Sequence, residues 1–296
     1  MKNGVIVVDK PVGFTSFDVI AKLRGILHER KMGHSGTLDP MATGVLPVFI
    51  GKATKAIDII PNDSKRYTAK VRLGLKTDSG DITGQIIAQN DNRADLDKLI
   101  TAAKRKTGVS MQIPPMYSAI KVNGQRLYDL ARQGKTVERK PRQIEIFDAD
   151  VYGFDGNEFC LEVYCRKGLY VRTLAEDIAE ECGCLATLVE LRRTQSGPFT
   201  EKEALGFDEI EHRMKKGNIE GLIIPVEKAF TDYPLLSLGE KEANKFLNGV
   251  KLPTDIPEGE NVRINSENVF LGIACSQEGV LVKKVQFFDM NKEENE

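Results

Sequence analysis

The chain has 296 residues, 41% of them hydrophobic and 29% charged, a composition that fits a soluble globular protein with a sizeable core and room for two domains. Its 42 Lys and Arg stand against 43 Asp and Glu, so a net charge of −1 requires any nucleic-acid surface to come from basic residues gathered on one face. No apolar run approaches a membrane span and no signal-peptide pattern opens the chain, so a cytoplasmic protein without membrane contact is expected.

The five cysteines, Cys160, Cys165, Cys182, Cys184 and Cys275, are odd in number and argue against a disulfide framework. Cys182-Gly183-Cys184 is too tight for a zinc pair, and only three His occur, so no metal and no cofactor are expected. Val5–Val8 reads as a buried strand. Pro11 and Gly13 then form a turn, and Thr15 with Asp18 has the form of a capping box that starts a helix from about Ser16 to Leu27.

Residues 33–47, GHSGTLDPMATGVLP, have neither helical nor strand period. Glycines give this loop freedom and Pro40 and Pro47 remove it. Asp39 precedes Pro40, which pushes it toward an extended backbone and presents one carboxylate from a rigid loop. With no neighbouring acid in the stretch, that carboxylate suggests a nucleophile more than half of an acid–base pair.

Lys52 to Ile60 has helical spacing, and Lys65–Gly74 alternates as a half-buried strand carrying Tyr67. Asp95–Lys106 reads as an amphipathic surface helix. Lys121, Arg126, Arg132, Lys135, Arg139, Lys140 and Arg142 are opposed only by Asp129 and Glu138, with Tyr117 and Tyr128 interleaved, the densest basic cluster in the chain. Arg142–Tyr152 and Glu158–Cys165 pair as strands around a Gly-rich turn. Glu203–Lys216 reads as a solvated helix or connection. A boundary is expected near Asp232-Tyr233-Pro234. Beyond it a helix over Gly239–Leu247 and short apolar segments fit a small β-barrel-like module.

Several of these stretches together resemble one family. GHSGTLDPMATGVLPVFIG (33–51) resembles the catalytic motif of the TruB family of tRNA pseudouridine synthases. K-P-x-G-x-T-S (10–16), K-R-Y…L-G…T-D (65–78), Q-I-P-P-M-Y-S-A-I-K (112–121), C-x-x-G-x-Y-V-R-x-L-x-x-D (165–177) and L-R-R-T…G-P-F (191–199) follow in the family's order. Val171 stands where Ile is commoner, a swap that nearly conserves volume.

The resemblance implies an α+β fold. A mixed, largely antiparallel sheet would make a catalytic domain over 1–231, with an RNA-gripping insertion at about 112–143 and a β-rich PUA-like RNA-binding domain over 232–296. It implies isomerisation of uridine to pseudouridine at position 55 in the tRNA T-arm loop by a monomer with no protein partner. Asp39 is the implied nucleophile. Tyr67 would pack on the base, and Arg172 would pair with Asp39, a guanidinium being able to hold a carboxylate bidentately and keep it ionised. Tyr170 and Leu191 would line the uracil pocket and His34 would hold the rearranged loop. Lys121, Arg126, Arg132, Lys135, Arg139 and Lys140 would contact RNA. Lys10 is expected to brace the catalytic loop rather than to act directly.

Overall fold

A computed structural model describes residues 3–122, 124–218 and 221–288. The chain opens with β1 (Gly4–Lys10), α1 (Ser16–Leu27), β2 (Met32–His34), β3 (Thr43–Ile50) and β4 (Lys65–Leu73). A hairpin, β5 (Leu75–Thr77) and β6 (Ile86–Gln89), leads to α2 (Leu96–Arg105) and β7 (Gly108–Gln112). The insertion holds β8 (Lys121–Val122), β9 (Gln125–Arg126) and α3 (Leu127–Arg132). Then come β10 (Arg142–Tyr152), β11 (Glu158–Cys165), α4 (Val171–Glu181), β12 (Ala186–Ser196), β13 (Phe199–Thr200) and α5 (Phe207–Lys215).

Among the described residues these strands make a nine-stranded sheet with the order β1-β3-β12-β4-β11-β10-β7, β2 pairing with β3 and β13 with β12. Every pairing is antiparallel except β12 with β3. The mixed, largely antiparallel sheet expected of an α+β fold is therefore present. Alternation explains its faces. Tyr67, Ala69, Val71 and Leu73 of β4 point into the core with Leu161 and Val163 of β11 and the apolar sides of α1, α2 and α4.

Thr15 caps α1 in a reciprocal box with Asp18, as its spacing predicts. Of the expected 52–60 helix only residues 52–56 are helical, within a 3-10 turn over Gly51–Ala56. Thr54 Oγ1 donates back to the Gly51 carbonyl at 2.8 Å, and Pro61 biases Ile60 away from the helical region. The expectation of a solvated 203–216 also fails in part. Phe207 and Ile210, three residues apart, are buried on one side of α5, and the Phe207 ring meets Phe14 with centroids 5.5 Å apart.

The C-terminal part contains β14 (Leu235–Ser237), α6 (Glu240–Leu247), β15 (Leu252–Pro253), β16 (Asn261–Ser266), β17 (Val269–Gln277) and β18 (Val280–Gln286). Its strands form a separate sheet, β14-β16-β17-β18-β15. The opposite face of β1 and β3, carrying Val5, Val7, Val45 and Phe49, packs with Phe230, Ile273, Val285 and Phe287. That packing leaves the face carrying Tyr67 to build the site.

Candidate active site

Three segments far apart in sequence converge on Asp39. The first is its own loop, which α1 and the preceding turn brace. Lys10 is buried, and its ammonium donates to the carbonyls of Phe14 at 2.6 Å, Pro11 at 3.0 Å and Pro40 at 3.3 Å. Gly13 N–H donates to Pro40 O at 2.8 Å. Ser16 Oγ accepts from Leu38 N–H at 2.9 Å and also lies 3.3 Å from Leu38 O. These are the contacts of a brace. Burial brings the Lys10 pKa down to about 8, with the Asp39 charge opposing the shift.

The second segment is the start of α4. Arg172 is 4% exposed and lies 2.9 Å from Asp39 through Nη2, while the Asp39 side chain stays 36% exposed. The pair is thus a fixed cation under an accessible carboxylate. Its geometry corrects the expected bidentate grip. Nη2 also donates to Tyr117 O at 2.7 Å, and Nη1 donates to Ser79 O at 2.5 Å and lies 3.5 Å from Asp81 Oδ2. Only one nitrogen of the fork meets Asp39.

The third segment is the 77–81 turn, which corrects the expectation of a lone acid. Asp81 shares Arg172 with Asp39, but its other oxygen is committed. Oδ1 accepts from Thr83 Oγ1 at 2.5 Å, Thr83 N–H at 3.0 Å and Ser79 Oγ at 3.0 Å. Asp81 therefore positions Arg172 and its charge bears on Asp39. Burial raises the Asp39 pKa, Arg172 draws it back down, and Asp81 pushes it up.

Tyr67 is buried on β4 directly opposite Arg193 of β12, and Arg193 in turn lies opposite Gly44 of β3. The bulge in β12 between Leu188 and Glu190 sets the phase that turns both Leu191 and Arg193 inward, and a second irregularity follows Arg193. Arg193 is 1% exposed. Its Nε donates to Val45 O at 2.8 Å, its Nη2 donates to Gly36 O at 3.0 Å, and the guanidinium reaches the Tyr67 hydroxyl. Burial raises the Tyr67 pKa, so the hydroxyl is a neutral donor and acceptor.

Gly44 has φ +100°, and a Cβ there would sit 2.2 Å from the Arg193 carbonyl oxygen, so this approach of loop to strand admits no side chain. Leu191 is buried opposite Ala69. His34 lies on β2 with Nδ1 buried and unpartnered among the described residues. Burial and the nearby Arg193 lower its proton affinity.

Tyr170 is half-buried at the N-cap of α4. The basic insertion residues divide. Lys121, Arg126 and Arg132 line an open groove of about 660 Å³ whose lining does not include Asp39, and both arginines flank the Tyr128 ring. Lys135 and Lys140 are exposed. Arg139 is half-buried and donates to Pro114 O at 3.1 Å, so it holds the insertion to its own root.

Arg193, Asp81 and Gln112 are the site residues that sequence reasoning left without a role. Arg193 alternates in phase with Leu191, which was a signal that it points inward. Nothing in the local pattern marks Asp81 as facing Arg172.

The model of the TruB family pseudouridylate synthase N-terminal domain matches residues 24–171, and that of the tRNA pseudouridylate synthase B C-terminal domain matches residues 172–231. The tRNA pseudouridine synthase B of Francisella philomiragia subsp. philomiragia is 42% identical over 292 residues, covering 98% of this chain and 96% of that protein. The tRNA pseudouridine synthase B of Francisella tularensis subsp. novicida matches with the same identity and coverage. Among solved structures, a chain of a Cbf5-Nop10-Gar1 complex is 28% identical with a TM-score of 0.74, covering 95% of this chain and 84% of that one. A chain of an H/ACA RNP bound to a substrate RNA containing 2'-deoxyuridine has a TM-score of 0.76, covering 97% of this chain and 85% of that one; at 24% identity it supports the fold alone.

Proposed function

The chain belongs to the TruB family of pseudouridylate synthases and isomerises uridine to pseudouridine in tRNA, and we propose that its target is uridine 55 of the T-arm loop, with Asp39 as the nucleophile. The observation that carries this reading is the Asp39–Arg172 pair. A partly exposed carboxylate stands on a buried guanidinium at 2.9 Å, beside the inward face that holds Tyr67 and Leu191.

The reaction moves one bond. The N1–C1′ bond breaks, the uracil turns, the C5–C1′ bond forms, the C5 proton leaves and N1 ends protonated. The target base must first leave its stack, at a cost of a few kcal/mol. The Tyr67 ring offers a face to a flipped base, a recurrent way of holding unstacked RNA. Leu191 and Tyr170 bound the same pocket, and His34 supports the opened loop. Asp39 attacks the base at C6 or the ribose at C1′, and in either case the carboxylate must be ionised. Arg172 favours that state and fixes the direction of attack. Arg193 positions Tyr67.

Lys121, Arg126, Arg132, Lys135 and Lys140 contact tRNA phosphates, and residues 232–296 act as a PUA-like RNA-binding domain. The protein acts in the cytoplasm as a monomer on tRNA, without a protein partner.

The test is incubation with an unmodified tRNA transcript and mapping of pseudouridine by position, with Asp39→Asn in parallel. The expected result is conversion at position 55 by the parent, with none by the variant and its tRNA binding intact. Conversion elsewhere in the tRNA would overturn the T-arm assignment. Parental turnover by Asp39→Asn would remove Asp39 from the chemistry.

A further inference from the structure

The insertion leaves the main sheet at Gln112 and returns at Arg142, residues opposite one another in the β7–β10 ladder. Gln112 is 4% exposed, and both ends of its amide are spent on one residue of another segment. Its Oε1 accepts from Tyr170 N–H at 2.9 Å, and its Nε2 donates to Tyr170 O at 3.2 Å. Tyr170 is the N-cap of α4 and has no side-chain cap of its own, so this amide is an external clamp on the first turn of the helix. Arg172 sits two residues further on.

Tyr117 makes the second connection. Its carbonyl accepts from Arg172 Nη2 at 2.7 Å, and its hydroxyl donates to Asp78 Oδ2 at 3.1 Å, in the turn that also supplies Ser79 O and Asp81 to Arg172. The root of the insertion therefore touches the helix start, the guanidinium and the turn that cradles it. The body of the same insertion carries Lys121, Arg126 and Arg132.

We propose that Gln112 is a positioning residue: by clamping the backbone of Tyr170 it ties the root of the RNA-gripping insertion to the helix start that carries Arg172, so that RNA seated on the insertion sets the guanidinium under Asp39. The inference rests on the roles given above to the insertion and to Arg172. An amide suits the task because it presents one donor and one acceptor side by side to a backbone N–H and C=O. A carboxylate at 112 would still accept from the Tyr170 N–H, but it would face the Tyr170 carbonyl with lone pairs on both sides. A protonated carboxyl would restore the missing donor.

That difference supplies the experiment. Single-turnover rate with saturating enzyme, and tRNA affinity in a separate titration, are measured for the parent, Gln112→Glu and Tyr117→Phe between pH 5.5 and 8.5. At pH 8 Gln112→Glu is expected to react on the order of 10- to 100-fold more slowly, the scale for a misplaced catalytic group, with its affinity for tRNA kept. The ratio of its rate to the parent's should climb as pH falls and the introduced carboxylate takes up a proton.

The charged groups around this point are Arg142 opposite on β10, Arg139 at Pro114, Arg172 on α4, and Asp39, whose charge reaches Tyr170. A displaced Arg172 and an added carboxylate both raise the Asp39 pKa, so the ratio is read only above the acid limb of each protein, where Asp39 stays ionised in both. Tyr117→Phe should slow the reaction about two- to tenfold with affinity unchanged.

A Gln112→Glu rate equal to the parent's, or a ratio that stays flat across the pH range, would overturn the proposal. So would weakened tRNA affinity at an unchanged rate, which would make the insertion root an RNA contact. Should Gln112→Glu fail to fold, Tyr117→Phe decides, and a parental rate for it refutes the coupling. Failure of the functional reading itself would be distinguishable, because the parent would then form no pseudouridine at position 55. A wrong coupling leaves the parent's reaction intact and removes only the differences between variants.

Discussion

Replacing Arg172 by Lys tests the centre of the site most directly, because it keeps the charge and removes the fork. The guanidinium spreads its contacts over two nitrogens. One meets Asp39 and Tyr117 O, and the other meets Ser79 O and Asp81. A single ammonium can serve one of these pairs, not both. If it stays with Ser79 and Asp81, Asp39 loses a hydrogen bond to a charged group, worth about 1.5 to 3 kcal/mol. At about 1.4 kcal/mol per factor of ten, that predicts a single-turnover rate roughly 10- to 150-fold lower.

The pH profile adds a sign. On the proposed mechanism attack needs ionised Asp39, so the rate is expected to fall as pH drops through its pKa. Burial already raises that pKa and Arg172 opposes the rise. Weakening the pair must therefore move the acid limb of Arg172→Lys to higher pH than the parent's. The assay is single-turnover formation of pseudouridine with enzyme in excess across pH, alongside equilibrium tRNA binding. Binding should hold, since most tRNA affinity comes from phosphate contacts elsewhere. A parental rate with an unshifted acid limb would refute the orienting role. Weakened binding at a parental rate would make Arg172 a phosphate anchor.

Neutralising the exposed Arg132, Lys135 and Lys140 together should weaken tRNA binding and flatten its salt dependence. For each phosphate no longer neutralised, the slope of log K against log salt should fall by about 0.7 to 0.9, as read by titration at several salt concentrations. Gly44→Ala places a Cβ 2.2 Å from Arg193 O at φ +100°, and should lower stability by about 2 kcal/mol or more in denaturant melts as the Asp39 loop parts from β12. Glu203→Gln should destabilise the protein near neutral pH and not at low pH. The Glu203 carboxylate caps the turn at Thr200 and pairs with Lys228; against the upward push of burial, these contacts lower its pKa to about 2. A carboxylate lowered in this way contributes stability above its ordinary pKa of 4.5 and gives it up as pH falls through about 2. With both side chains a quarter to a third exposed, about 1 to 2 kcal/mol is expected, so parent and variant melting curves should differ at pH 7 and converge toward pH 2.

What the sequence determined by itself was whatever local rules control. The Thr15–Asp18 box starts α1, and the period of two over 65–73 turns Tyr67 inward. The stop-and-go pattern of Gly and Pro around Asp39 marked a rigid, non-repetitive loop. The motifs, taken in order, named the family. Where a helix has a weak apolar stripe, as in α5, local reading underrated Phe207 and Ile210, because their burial depends on α1 and the turn before it lying opposite.

The site itself was decided by tertiary structure. The partner of Arg172 that was not foreseen, Asp81, is 91 residues away in the chain and reaches it only because a turn beside β12 is folded over the start of α4. Arg193 meets Tyr67 through strand register, which one chain segment cannot reveal about another. The clamp of Gln112 on Tyr170 spans 58 residues. Local pattern tells which way a side chain points, but only the packed chain tells what it meets there, and the division of one guanidinium between two carboxylates is a property of that meeting.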